Sequence, residues 1–151
     1  MAQLRQVFDD LVRFETILWA AVDDRLKAQC GLSLASLNLM LILEKTPECR
    51  VQDIAQALAI TIGGTSQAVD RLEKAGWCLR RANPADRRSS ILELTPAGEE
   101  LLHRAKPVFD EELDRLLCAP LTAAALDRFA ATLGTLRQAV AAPPATSPPT
   151  T

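Results

Sequence analysis

VQDIAQALAITIGGTSQAVDRLEKAGWCLRRANPADRRSSILELTPAG, residues 51–98, is the stretch whose reading decides the fold. Gln52–Leu58 reads as a short helix with Ile54, Ala55 and Leu58 inward. Ala59-Ile60-Thr61 is a turn, and Thr61 caps a second helix that runs from about Ile62 to Ala75 and stops at Gly76. Trp77–Arg81 and Ser90–Leu94 read as two short strands joined by residues 82–89, where Arg87 and Arg88 follow a Pro-Ala-Asp corner. Thr95 then caps a helix that opens on Pro96.

Two short helices, a tight turn and a two-stranded hairpin make a winged helix-turn-helix. Such a unit docks its second helix in the major groove, and the hairpin reaches phosphates or the minor groove. The charge distribution agrees. Residues 71–90 hold six basic side chains (Arg71, Lys74, Arg80, Arg81, Arg87, Arg88) against Glu73 and Asp86, a net of +4 in a chain whose total is −2. A basic edge on an acidic body neutralises phosphates locally and releases counterions. Arg80 and Arg81 alternate sides on a strand, so at most one of them faces DNA while the other supports the wing. An ion pair between Asp86 and Arg88 is within reach across the wing tip.

Working outward, Leu4, Val7, Phe8, Leu11, Phe14, Leu18, Val22 and Leu26 recur at helical spacing over residues 4–27, with Gly31 as the stop. A helix from Ser33 carries Leu37, Met40 and Leu43 and ends by Pro47. The helix begun at Pro96 is expected to run to residue 118, ahead of Pro120. Thr122 caps a last one, in which Leu126, Phe129, Leu133, Leu136 and Val140 form a coiled-coil-like seam. The sequence predicts a mainly α fold with a small two-stranded β-wing, residues 1–141 forming one domain. Residues 33–95 are its DNA-binding lobe; 4–32 and 96–141 are dimerisation helices, which carry more apolar surface than the lobe can cover. The Pro- and Thr-rich tail, 142–151, is expected to be disordered.

Composition excludes several classes. The first fifteen residues carry five charges, and no uncharged apolar run reaches the ~18 residues of a membrane span, so a cytoplasmic protein with no membrane partner is expected. The cysteines (Cys30, Cys49, Cys78, Cys118) form no CxxC pair, and His103 is the single histidine. No metal site, cofactor or enzyme active site is expected. Phe14, Trp19 and Met40 are candidates for an effector pocket. Cys30, near Lys27, is the candidate for a redox-sensing thiol.

The 51–98 segment closely resembles the MarR family of bacterial transcription regulators. The resemblance rests on the helix-turn-helix, the Asp86-x-Arg88 wing pattern and the Leu94-Thr95 and Gly98 that follow it, and the flanking helices extend it over roughly residues 4–141. It implies a homodimer on a pseudo-palindromic double-stranded operator, acting as a repressor. It further implies release by a small aromatic or lipophilic effector, or by thiol oxidation. On that pattern Arg88 enters the minor groove, Asp86 supports the wing tip, and the recognition helix presents Gly63, Gly64, Thr65, Ser66, Gln67 and Arg71; the basic wing adds Arg81 and Arg87 as further candidate DNA contacts. The Gly63-Gly64 pair departs from the larger polar residues common in relatives. It reads either as close backbone approach to DNA or as tolerance in a first helical turn. The alternative functions are a thiol-based regulator on the same fold and a winged-helix module that binds protein.

Overall fold

The computed structural model describes residues 1–141, so the tail expected to be disordered lies outside the described residues. Two compact units are present, Met1–Glu112 and residues from Leu113 on. The first opens with α1, Ala2–Cys30, which Gly31 terminates in a left-handed conformation (φ 66°) with its N–H on the Lys27 carbonyl. α1 starts two residues before the expected 4 and runs three past 27, which puts Cys30 on the helix rather than in a loop. α2, Leu34–Lys45, begins at Ser33, whose hydroxyl accepts the Ser36 N–H. The α1–α2 corner is tied by Asp23. Its carboxylate accepts the Leu34 N–H at 2.8 Å and pairs with Lys27. Lys27 first and the Leu34 amide second hold the Asp23 carboxyl below the usual carboxylate range.

α3, Val51–Leu58, and α4, Ile62–Lys74, are the two helices of the helix-turn-helix. Ala59 makes the turn in the left-handed region (φ 54°), and Thr61 Oγ1 caps α4 by accepting the Gly64 N–H at 3.1 Å. Ile54 and Ala55 of α3 and Val69 and Leu72 of α4 are buried with Leu37 and Met40 of α2, so the three helices share one core. β1, Cys78–Ala82, pairs antiparallel with β2, Ser90–Leu94, in the register Cys78↔Leu94 to Ala82↔Ser90. The first strand lies one residue later than expected; the second matches. Ile91 and Leu92 are consecutive and both buried. The Leu92 N–H explains part of this, because it donates across the sheet edge to the Cys49 carbonyl at 2.7 Å.

α5 starts at Pro96, and its cap is tied to the Gly76-Trp77 segment that follows α4. The Thr95 N–H donates to the Trp77 carbonyl (3.1 Å) and its hydroxyl to the Gly76 carbonyl (2.6 Å), while the same hydroxyl oxygen accepts the Gly98 N–H (3.1 Å). Gly98 is pressed against Trp77. A Cβ added there would collide with the Trp77 carbonyl oxygen and stand 2.9 Å from its carbon.

The second unit departs from expectation in one respect. α5 ends as an α-helix at Leu113, and Asp114–Cys118 forms a π-helical segment where a continuous α-helix was predicted. α6, Ala123–Ala141, follows the Thr122 cap (Ala125 N–H to Thr122 Oγ1, 3.3 Å). Within it Leu126 and Phe129 are half-buried and Leu133, Leu136 and Val140 are exposed. No single helix among the described residues is long and apolar enough to cross a membrane.

Two glycines should answer oppositely to alanine. Gly98→Ala should lower stability by roughly 3 kcal/mol, because backbone blocks the new methyl group. Gly63→Ala should raise it by up to ~1 kcal/mol, because open space surrounds that helical position. Urea denaturation at one protein concentration measures both.

Candidate nucleic-acid interface

The faces of α4 follow from its period. Thr65, Val69 and Leu72 are buried on the core side. Thr65 is fully buried and its hydroxyl donates to the Thr61 carbonyl at 2.8 Å. This corrects the expectation that Thr65 reads DNA: its hydrogen bond is satisfied inside the helix and its methyl packs in the core. Gly63, Gly64, Gln67 and Arg71 are exposed, and Ser66 is half-buried. The two glycines now separate. A Cβ on Gly64 would come 3.1 Å from the capping Thr61 Oγ1, so the cap explains that glycine. A Cβ on Gly63 would meet nothing within 4 Å, so no internal packing explains it.

The wing tip is braced by its own side chains. Asn83 Oδ1 accepts the Ala85 N–H (3.0 Å), and its Nδ2 donates to Ser89 Oγ (2.9 Å). Asp86 Oδ1 accepts the Arg88 backbone N–H at 2.9 Å. Asp86 therefore shapes the tip through the main chain, and the expected Asp86–Arg88 side-chain ion pair does not form. An Asx-type turn satisfies the carboxylate locally and leaves the guanidinium free. Arg87 and Arg88 are both exposed, and neither is engaged by an acidic side chain among the described residues.

The strand arginines divide as alternation requires. Arg80 turns toward α4, where Asp70 and Glu73 (2.9 Å) hold it, Asp70 first in raising its pKa above the ordinary arginine value. Arg81 turns the other way and pairs with Glu93. The +4 of this segment thus overstates its available charge. Among the described residues Arg71, Lys74, Arg87 and Arg88 have no ion-pair partner.

A cleft of about 520 Å³ opens between the start of α3, the first turns of α4 and the wing. Ser66, Arg88, Ile62 and Arg50 are among its lining residues. Sequence reasoning missed Arg50. Its backbone N–H and Nε donate to Asp53 Oδ2 (2.8 and 3.2 Å), and the Gln52 amide, oriented with its oxygen toward Arg50, accepts from both Nη atoms (3.0 and 2.8 Å). The signal was an arginine just before a short helix with aspartate three residues on.

The other candidates scatter. Met40, expected in a pocket, is fully buried and belongs to the core. Phe14 and Trp19 are exposed on α1, at 37% and 43%. A hollow of about 710 Å³ is lined instead by residues including Glu44, Glu48, Glu99, Glu100, His103 and Lys106, with the Glu44–Lys106 pair inside it. Cys30 is half-buried, and the lysine expected to activate it, Lys27, pairs with Asp23. Burial pushes the Cys49 and Cys78 thiols up to about 11, and a hydrogen bond to Asp114 raises Cys118. These three environments disfavour thiolate, the reactive form.

The family model described as MarR family matches residues 32–90. Over 87 residues the chain is 32% identical to the HTH-type transcriptional regulator BilQ of Clostridium symbiosum, covering 58% of this chain and 60% of that one. Its matches span about half the length of the curated relatives, 44–60% for the first three. Among solved structures it superposes on Sco3205, a MarR family transcriptional regulator from Streptomyces coelicolor in complex with DNA. The TM-score is 0.89 at 25% identity, covering 98% of this chain and 94% of that one. The transcriptional repressor CouR, bound to a 23-mer DNA duplex, matches with a TM-score of 0.78 at 29% identity over 84% of this chain and 89% of its own. CouR of Rhodococcus jostii has also been solved with p-coumaroyl-CoA.

Thiol chemistry offers a direct check on the core side of this site. At pH 8 a disulfide reagent such as DTNB should leave Cys49 and Cys78 unmodified in the native protein, because that pH lies far below their raised pKa values and both are buried. Both should react once urea unfolds the chain. Fast native labelling of either would contradict the packing described.

Proposed function

We propose that this chain, which belongs to the MarR family, is a homodimeric DNA-binding repressor released from a pseudo-palindromic operator by a small aromatic or lipophilic effector. The observation that carries the reading is the cleft where α3, α4 and the wing converge. It sets Arg88 beside Ser66 and Arg50, with Arg71 and Arg87 exposed on the same elements. Gln67 and Arg71 lie four residues apart on α4, as do Gly63 and Gln67, so these three share the exposed face. In this reading Gln67 reads a base edge, Arg71 and Arg87 hold phosphates, and Arg88 enters the minor groove.

Dimerisation is supported by apolar surface left uncovered in one chain. In the 29 residues of α1 only Val22 and Leu26 are buried, while Leu4 and Phe8 are each 69% exposed. α6 separately leaves Leu133, Leu136 and Val140 exposed. Surface of this kind calls for a second copy, and a two-fold symmetric protein matches two half-sites one DNA turn apart. The effector reading rests on CouR and on the exposed Phe14 and Trp19 of α1, while Met40 is buried in the core.

Three substitutions test the arrangement by fluorescence anisotropy on a cognate duplex across a salt series. Gln67→Ala should cost ~1–3 kcal/mol on the cognate site and much less on random DNA. Arg88→Ala should weaken binding about tenfold, and Arg87→Ala should lower the salt slope by about one unit, both at unchanged melting temperature. Normal operator binding by Arg88→Ala would remove the wing from the interface.

For the dimer, Leu133→Asp places a charge in the proposed seam and should yield monomeric or unfolded protein in sedimentation. A fully folded monomer of the unsubstituted protein at micromolar concentration would refute the dimer.

A further inference from the structure

Ile62 opens α4, and 62% of it is exposed. A single exposed isoleucine needs no explanation by itself. Its neighbours make this one unusual. Thr61 before it is occupied as the cap, and Gly63 and Gly64 after it carry no side chain. Ile62 is therefore the only apolar side chain on the exposed part of this first turn, and it lines the cleft with Ser66, Arg50 and Arg88.

Gly63 sharpens the point. Glycine weakens a helix relative to alanine. Here it is not required by a positive φ, and a Cβ would meet nothing within 4 Å. What the missing side chain permits is close approach of an outside surface to the backbone beside Ile62. That surface must be anionic overall, given the unpaired Arg71, Arg87 and Arg88, and must offer an apolar group to Ile62. In the major groove the apolar group on a base edge is the C5-methyl of thymine.

We propose that Ile62, with Gly63 clearing the approach, reads the C5-methyl group of one thymine in each operator half-site. This rests on the DNA-binding reading above and extends it to a specificity determinant. Ile62 has no hydrogen-bonding group, so it senses the methyl and not the pairing edge. A 5-methylcytosine presents the same methyl, and at that position it should restore part of the affinity lost with cytosine.

The experiment uses the full chain and an operator selected from a random duplex pool. Each thymine is replaced in turn by deoxyuridine, which removes one methyl group and nothing else. One position per half-site should weaken binding about fourfold, the effect of one buried methyl, and about fifteenfold when both are replaced. Ile62→Ala should bind thymine and uracil operators equally at that position, with an unchanged melting temperature. The inference is overturned if no thymine is sensitive, or if Ile62→Ala keeps the wild-type discrimination. Failure to select any sequence over random DNA is a different result, and it overturns the DNA-binding reading beneath.

Discussion

The contact between Gly98 and the Trp77 carbonyl joins three elements that would otherwise be separate. Trp77 lies three residues past the end of α4, and its N–H closes that end on the Leu72 carbonyl at 3.0 Å. The Trp77 carbonyl receives the Thr95 N–H, which extends the β1–β2 ladder by one bond. Thr95 in turn bonds Gly76 and caps α5. Four hydrogen bonds and one glycine thus fix the recognition helix, the root of the wing and the start of α5 in one joint. A side chain at position 98 would separate them. The orientation of Gln67 relative to Arg88 depends on this joint, because the two residues sit on arms that both spring from it.

Charge is partitioned by the same geometry. Arg80 could have added to a basic face, but its pairing with Asp70 and Glu73 makes it a strut between β1 and α4. Such partly exposed pairs add little stability each, ~0–1 kcal/mol. Their effect is positional: they hold the wing to the helix while the tip arginines stay unpaired. Asp86 is used in the same sense, on a backbone N–H and not on a guanidinium. A net acidic protein can present a cationic tip because fields from the rest of its surface fade over about 8–10 Å in physiological salt.

Helix positions, the turn at Ala59 and the hairpin were readable from period and capping residues, since these are local rules. The side chains on α4 were read less well, and the reason is specific. The family resemblance puts Thr65, Ser66 and Gln67 together on the DNA face, yet successive helical residues diverge by about 100° and cannot all share one face. Thr65 stands four before Val69 and seven before Leu72, which is the core spacing, so its burial was available in the sequence. Met40 was likewise in register with Leu37 and Leu43 of the core. Other features lay beyond local reading. Nothing in the sequence reports that Asp86 bonds main chain, that Arg80 meets two carboxylates ten and seven residues away, or that the 114–118 turn is π-helical. Arg50 lies upstream of the basic 71–90 stretch, and only the fold brings it to a cleft lined from both sides of the helix-turn-helix.

The available charge also bears on why one lobe would not suffice. Among the described residues, Arg71, Lys74, Arg87 and Arg88 are the cations on α4 and the wing without an ion-pair partner. If all four met phosphates, the salt slope for one lobe would be about −3.6, typical of weak and largely sequence-independent binding. Two lobes held by a shared body would double that slope to about −7. They would also turn the second lobe's binding into an intramolecular event, with a large gain in effective concentration. The uncovered apolar faces of α1 and α6 and the modest charge of each lobe are therefore parts of one requirement. A recognition helix that read few base edges, one through a methyl group and one through Gln67 as proposed above, would reach useful specificity only if symmetry counted each reading twice.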